Sequence, residues 1–328
     1  MKLNSVMALT MAGTSLLSTG CAAAPYRGDR MTATESKIYG FESDSNGFNT
    51  KNFFYDNGEE VVVFDSQFTP DIAQKSVDFI RSKTKNPITF VVVTHPNPDK
   101  FNGMSVFQAL GAKVVASNKT AEAMPGVHAY KKYFFVNMAK MFTEAAYPKL
   151  SQVDVTFDKN YDLRLKNGET ILLHEFDQPG VSSNQTIASI PAINTVIVGD
   201  LVHHKAHAWL EGGIVNGKPV PTLDGWIADL NELQTMFKDS PSTVVYGGRG
   251  ESASLATAAN AQIQYLKNAN AIVDSYIKKL GARKSELQGD QAQAHYTALQ
   301  TEFEKAFPDY KLGYMIQYGV YGLVNSKL

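Results

Sequence analysis

Ile88-Thr89-Phe90-Val91-Val92-Val93-Thr94-His95-Pro96-Asn97-Pro98-Asp99-Lys100 is the stretch that decides the fold. Its first six residues are apolar or β-branched with no polar alternation, so both faces of the strand are expected to be buried, as in a parallel sheet. The run then stops in a polar segment holding His95, Asp99 and Lys100, and the carboxyl ends of strands are where α/β folds place their chemistry. Residues 70–83 carry Ile72, Val77, Phe79 and Ile80 at helical spacing, which predicts a helix before the strand. Residues 101–110 predict a helix after it, and 113–116 the next strand. Further upstream, Phe53-Phe54-Tyr55 and Val61-Val62-Val63-Phe64 flank Asn57-Gly58, a hairpin turn signal, and the second run ends at Asp65. Strands alternating with helices through short joints imply an α/β layered sheet.

The rest of the chain continues this pattern. Residues 121–142 read as helical and rich in Met and aromatics, and packing is the preferred explanation over a lid. Strands are expected at 153–157, 162–165 and 170–174, the last two joined by Asn167-Gly168. Further strands are expected at 186–190 and 195–198, the latter ending in Gly199-Asp200. A helix at 224–237 and a strand at 243–246 lead to Gly247-Gly248-Arg249-Gly250. Beyond Glu251 the composition turns Ala-rich, with helices at 253–280 and 284–307, Gly281 at a C-cap position, and an aromatic tail at 310–328 that should pack back on the body.

Composition narrows the function. Lys and Arg number 31 against 32 Asp and Glu, so no basic field advertises a nucleic-acid partner. A single Cys excludes an intrachain disulfide and a cysteine-built metal site. No run of ~20 apolar residues predicts a membrane span. That one Cys, Cys21, follows a Lys-bearing start, a mildly apolar stretch and Ser18-Thr19-Gly20. This is the plan of a secretory signal, and Gly20-Cys21 resembles the lipobox of bacterial lipoproteins, with Ser18 where Leu is usual. The expected organisation is a signal peptide over 1–20, a tether over 21–36 beginning at a lipidated Cys21, a main domain over 37–251 and a helical extension over 252–328. The protein is then exported, to the periplasm or outer membrane as a lipoprotein with its membrane contact made through the lipid, and is otherwise secreted.

Three strand ends, Thr94 to Lys100, Gly199-Asp200 and Gly248-Arg249-Gly250, stand in an order that resembles the metallo-β-lactamase superfamily. That family carries a strand ending in Asp (here Asp65), a Thr-His-x-His-x-Asp-His loop followed by Asn-Gly (here Asn102-Gly103), then Pro-Gly-His, Gly-Asp and Gly-His-Gly segments. The resemblance covers roughly residues 43–250. It implies a four-layer αββα sandwich with the site at one edge of two facing sheets, here with a helical C-terminal extension. It also implies a hydrolase acting on an ester, lactone, amide or thioester.

The departures are sharper than the matches. Of the seven metal-ligand positions that the resemblance implies, only His95, Asp99 and Asp200 keep the family's residue. The others are Asn97, Lys100, the segment Val181-Ser182-Ser183 after Pro179-Gly180, and Arg249. Lys and Arg cannot share a first shell with a dication as donors, and Arg does not deprotonate. The expectation is therefore that no cofactor is needed, with Lys100 and Arg249 pairing Asp99 and Asp200 in the metal's stead. Zinc at a reduced mononuclear site of His95, Asp99 and Asp200 is the remaining metal reading. If the protein is an enzyme, His95, Asp99, Lys100, Asp200 and Arg249 are the candidate catalytic residues. His95 would act as general base on a water, with Lys100 or Arg249 at the developing oxyanion. Asn97, Ser182, His207 and Trp209 are the candidate substrate-binding residues. The rival is a non-catalytic protein that binds a small ligand in the old pocket. Asp65 is assigned a supporting role for the loop. His128, His174 and His295 read as ordinary polar residues, and His203 or His204 as facing solvent.

Overall fold

The computed structural model describes residues 38–328, so the signal segment, Cys21 and the tether lie outside the described residues. The first sheet runs in the order β1 (Ile38–Glu42), β2 (Lys51–Asp56), β3 (Val61–Phe64), β4 (Ile88–Val92), β5 (Lys113–Ser117), β6 (Val155–Phe157). β1 to β3 pair antiparallel and β3 to β6 parallel. The parallel half explains the uninterrupted apolar run of β4. The β2–β3 hairpin is made where Asn57-Gly58 foretold it. The Asn57 side-chain oxygen accepts from the backbone of Glu59 and Glu60 at 2.9 Å.

The second sheet holds β7 (Asn160–Arg164), β8 (Thr170–Glu175), β9 (Thr186–Ile190) and β10 (Thr195–His204). After the small ribbon of β11 (Gly213–Val215) and β12 (Lys218–Val220), it is completed by β13 (Val244–Gly250) and β14 (Ala253–Ser254), in the order β14-β13-β10-β9-β8-β7. β10 is longer than the apolar run 195–198 suggested. Its pairing with β13 continues to His203↔Arg249 and His204↔Gly250, which carries the strand past Asp200.

The sheets meet face to face through Tyr55, Val62, Phe64 and Val92 from one and Leu163, Ile171, Leu173 and Ile197 from the other. Outside the first sheet pack α1 (Pro70–Lys83), α2 (Pro98–Phe101), α3 (Met104–Gln108) and α4 (Asn118–Tyr133). Thr69 caps α1, its hydroxyl accepting from Ile72 N at 3.3 Å, and Pro70 opens it. The helix expected at 101–110 is two short ones, because the chain at Gly103 runs against Ser66: a Cβ there would lie 2.0 Å from the Ser66 carbonyl oxygen. The segment read as helical to residue 142 leaves the α-helix at Tyr133 and makes one π turn over Phe134–Met138.

Outside the second sheet lie α5 (Leu223–Met236), α6 (Leu255–Leu280), α7 (Ala292–Ala306), α8 (Tyr314–Gly319) and α9 (Tyr321–Asn325). The helix expected over 284–307 starts late, since Gly281–Gln288 winds as a 3-10 helix before Gly289 breaks the chain. The molecule is thus a four-layer αββα sandwich with a helical C-terminal extension. That extension shares one core with the body: Leu255, Ala258, Ala259 and Leu266 pack among Val196, Val198, Leu201 and Val245. The aromatic tail does pack back, with Tyr314 hydroxyl donating to Asn49 Oδ1 at 2.9 Å.

Because α6 supplies the outer layer of this shared core, Leu266→Ala should cost ~2–5 kcal/mol. Urea denaturation should show one shifted transition; an early separate transition of the helical segment would contradict a shared core.

Candidate active site

The site forms where the ends of β3, β4 and β13 meet the middle of β10. β3 ends at Asp65, whose backbone takes a left-handed φ of 66°. Its carboxylate accepts from Thr94 N at 2.9 Å and from the Thr94 hydroxyl at 2.9 and 3.0 Å, tying β3 to the end of β4. The single Thr94 hydroxyl proton is spent on Asp65. The 3.0 Å contact of Thr94 Oγ1 with His95 Nδ1 therefore has the ring nitrogen donating. His95 Nε2 then faces Asp200 Oδ2 at 3.6 Å, with no hydrogen-bond partner among the described residues.

Asn97 and Pro98 open α2, which presents Asp99 and Lys100. Lys100 is wholly buried, and its Nζ lies 2.8 Å from Asp200 Oδ1, 3.0 Å from Asp99 Oδ2 and 4.0 Å from Asp65 Oδ2. From β13, Arg249 donates Nη1 to Asp200 Oδ2 at 2.6 Å, Nη2 to Asp99 Oδ2 at 3.1 Å and to Thr50 Oγ1 at 2.9 Å, and Nε to the Phe48 carbonyl at 2.9 Å. Thr50 in turn donates to Asp99 Oδ2 at 2.8 Å. Gly248 is where the cluster meets the backbone: a Cβ there would lie 1.9 Å from Asp200 Oδ1 and 2.9 Å from Lys100 Nζ.

These contacts set the charges. Burial alone would raise the carboxyl of Asp99, but Lys100 and Arg249 outweigh it and hold the group at about 2. Burial is likewise overcome at Asp200, which Arg249 and Lys100 hold well below the ordinary range. Burial would strip the proton from Lys100, yet Asp200 and Asp99 keep it charged. Asp65 is different: burial wins over the pull of Lys100 and pushes it up to about 6.

A divalent metal would need the oxygens of Asp99 and Asp200 and an open set of neighbouring lone pairs. Both carboxylates are instead engaged by an ammonium and a guanidinium at hydrogen-bond distance, and neither cation offers a lone pair. The residues present do not fit a zinc while those contacts stand.

Beside the cluster lies a small chamber of about 40 Å³. Asn97, Asp99, Asp200 and Arg249 form its polar floor, and Phe48, Phe135 and Trp209 stand among its walls. The structure thus brings together His95, Asp99, Lys100, Asp200 and Arg249, with Asn97 and Trp209 at the chamber. It does not bring His207 there. That ring is buried among Tyr265, Phe303, Phe307 and Tyr310, where β10 gives way to the C-terminal helices. Ser182 is also buried and absent from the lining.

His203, read from sequence as solvent-facing, is fully buried with Nε2 3.4 Å from Asp200 Oδ1, because β10 continues past the Gly-Asp pair. Thr50 and the Phe48 carbonyl carried no motif and were not singled out. A buried Lys131–Glu211 pair beside Trp209 was also missed; the Trp209 indole donates to Glu211 Oε2 at 2.8 Å. His128, His174 and His295 are held by Pro148 O, Asn160 Oδ1 and Tyr276 with Glu286, and none lines this chamber.

A family model described as the metallo-beta-lactamase superfamily matches residues 46–249. The chain belongs to that superfamily. Solved structures similar to it include a metallo-beta-lactamase from Pontibacter korlensis, 18% identical with a TM-score of 0.54, covering 73% of this chain and 97% of that one. FIM-1 metallo-beta-lactamase from Pseudomonas aeruginosa, solved in a mono-zinc form, is 14% identical with a TM-score of 0.52, covering 71% and 90%. At these identities the likeness concerns the fold, and no curated protein matches the chain significantly. Within the superfamily this member is divergent, as identities of 14% and 18% to these structures show.

Removing one partner strands a buried charge, so Lys100→Met should cost ~3–5 kcal/mol, measured by urea denaturation. The pH dependence has a definite sign. Asp99 sits at about 2 folded against an ordinary 3.8, so its contribution is present above that ordinary value and is lost as pH falls toward about 2. The raised Asp65 acts in a higher window, between its ordinary 3.8 and about 6, and there favours the folded state as pH falls. Stability measured below pH 4 should therefore fall less steeply in Asp99→Asn than in the parent. Parallel slopes would contradict the assignment.

Proposed function

We propose that this superfamily member is a metal-independent ligand-binding protein whose former catalytic centre is closed by its own cations. One observation carries the reading: Lys100 and Arg249 occupy the oxygens of Asp99 and Asp200 that a metal would need. A mononuclear site on His95, Asp99 and Asp200 would have to break those contacts in a buried setting, at the cost of two unpaired cations. The ligand chamber is the one roofed by Phe135 and Trp209 over the Asn97, Asp99 and Arg249 floor. The N-terminal Gly20-Cys21 pattern supports export and a lipid anchor at the cell envelope. No helix among the described residues is long and apolar enough to cross a membrane.

A second reading is favoured by the unpartnered His95 Nε2. It is metal-independent hydrolysis of an ester, lactone, amide or thioester, with His95 as base on a water and Lys100 or Arg249 at the oxyanion. It is weaker because His95 and Lys100 are wholly buried and the donors of Arg249 are committed. Turnover without a metal-activated water should also be slow.

Purified protein should contain substoichiometric zinc, manganese and iron by elemental analysis and keep its melting temperature in chelator. One tightly bound metal per chain would overturn the proposal. In a paired screen, small molecules should raise the melting temperature without being hydrolysed. Hydrolysis abolished by His95→Ala would instead establish the second reading, and hydrolysis unchanged by it would reject that mechanism.

A further inference from the structure

A much larger chamber, about 600 Å³, adjoins the small one and shares Phe48, Phe135 and Trp209 as a common wall. That size lies within the ~300–1,000 Å³ of ordinary small-molecule sites. One side is built by α4 and the π turn after it, through Tyr130, Phe134 and Met138; the other by the C-terminal helices, through Tyr296, Tyr314 and Tyr321. π turns often mark functional positions, because they re-aim side chains within a helix.

The polar tips of these tyrosines are already spent. Tyr130 and Tyr321 share a hydroxyl contact at 3.1 Å, Tyr296 donates to Leu287 O at 2.8 Å, and Tyr314 donates to Asn49 Oδ1 at 2.9 Å. Those four tyrosines therefore offer the chamber mainly their ring faces, beside the thioethers of Met138 and Met141. Among the described residues, no Asp, Glu, Lys, Arg or His lines it. Its polar groups are neutral: amides, among them Asn46, Gln293 and Gln317, and the hydroxyl-bearing Ser45 and Tyr318.

Charge selects the occupant. An ionised ligand would lose its hydration with no counter-charge to meet it, a cost of several kcal/mol that apolar contact must first offset. Arg249 and Lys131, which line the adjoining small chamber, are engaged by Asp200 with Asp99 and by Glu211. We propose that this chamber binds an uncharged long-chain lipid of the monoacylglycerol type. The acyl chain lies along the aromatic and methionine walls, and the neutral headgroup meets the amides. The proposal extends the ligand-binding reading to a second chamber but does not depend on the metal content of the ion cluster. A bound metal would defeat that reading and leave this one standing, whereas failure of the lipid to bind would defeat this one alone.

The test uses the full chain and the neutral dye N-phenylnaphthylamine. The dye should bind saturably with enhanced emission, and monooleoylglycerol should displace it. Palmitate, of similar apolar bulk but ionised, should compete at least about tenfold less well. Ala139→Trp, which fills the chamber, and Gln293→Arg, which puts a charge into it, should each weaken the lipid by about tenfold or more. Circular dichroism shows which variant has folded, and either one suffices. No saturable dye binding, palmitate competing as well as the neutral lipid, or unchanged affinity in a folded variant would each overturn the proposal.

Discussion

Everything at the site depends on how two buried carboxylates, Asp99 and Asp200, are kept charged. Each would be costly alone, and each is held by both Lys100 and Arg249, so that the four side chains form one closed circuit. Such circuits contribute little net stability against an apolar replacement, but losing a single member is severe. The surroundings are shaped accordingly. Gly248 leaves room for Asp200, Thr50 and the Phe48 carbonyl take the remaining guanidinium donors, and Asp65 steadies the loop through Thr94. Four strands must stay in register for the circuit to close, so the electrostatics of the site and the packing of the two sheets constrain each other.

The fold was legible because its strands announce themselves twice. Val91-Val92-Val93 and Val61-Val62-Val63 are continuous apolar runs, and each ends in a residue with distinctive chemistry. The superfamily order of those endings carried the four-layer architecture, and the two misplaced cations could be placed opposite the two surviving aspartates from sequence alone. Other parts were not legible, for identifiable reasons. The length of β10, and with it the burial of His203, follows from pairing with β13 and not from local hydrophobicity. The break at Gly103 comes from contact with Ser66, far away in sequence. Thr50 and the Phe48 carbonyl act through position alone, and no residue pattern marks a backbone oxygen. His207 carried a family expectation, but the aromatic C-terminal helices enclose it.

Those same helices change the meaning of the segment after β5. Its Met and aromatic content was read as packing in preference to a lid, and the structure makes the alternatives compatible. Phe135 is buried against Phe68 and Phe48, yet it also walls both chambers. The extension closes over this segment through Tyr321 on Tyr130, so the large chamber exists only where body and extension face each other. The ion cluster and the apolar volume thus stand side by side, separated by Phe48, Phe135 and Trp209.

Trp209 stands on the wall between the two chambers, its indole tied to Glu211 and lying 5.3 Å from the Lys131 ammonium. The chain has only two tryptophans, and the other, Trp226, is sealed in the core with its own donor bonded to Leu201 O. The molecule therefore carries a built-in optical reporter. A change in the environment of either chamber alters the emission of one indole while the other serves as an internal standard, and occupancy can be followed without attaching a label.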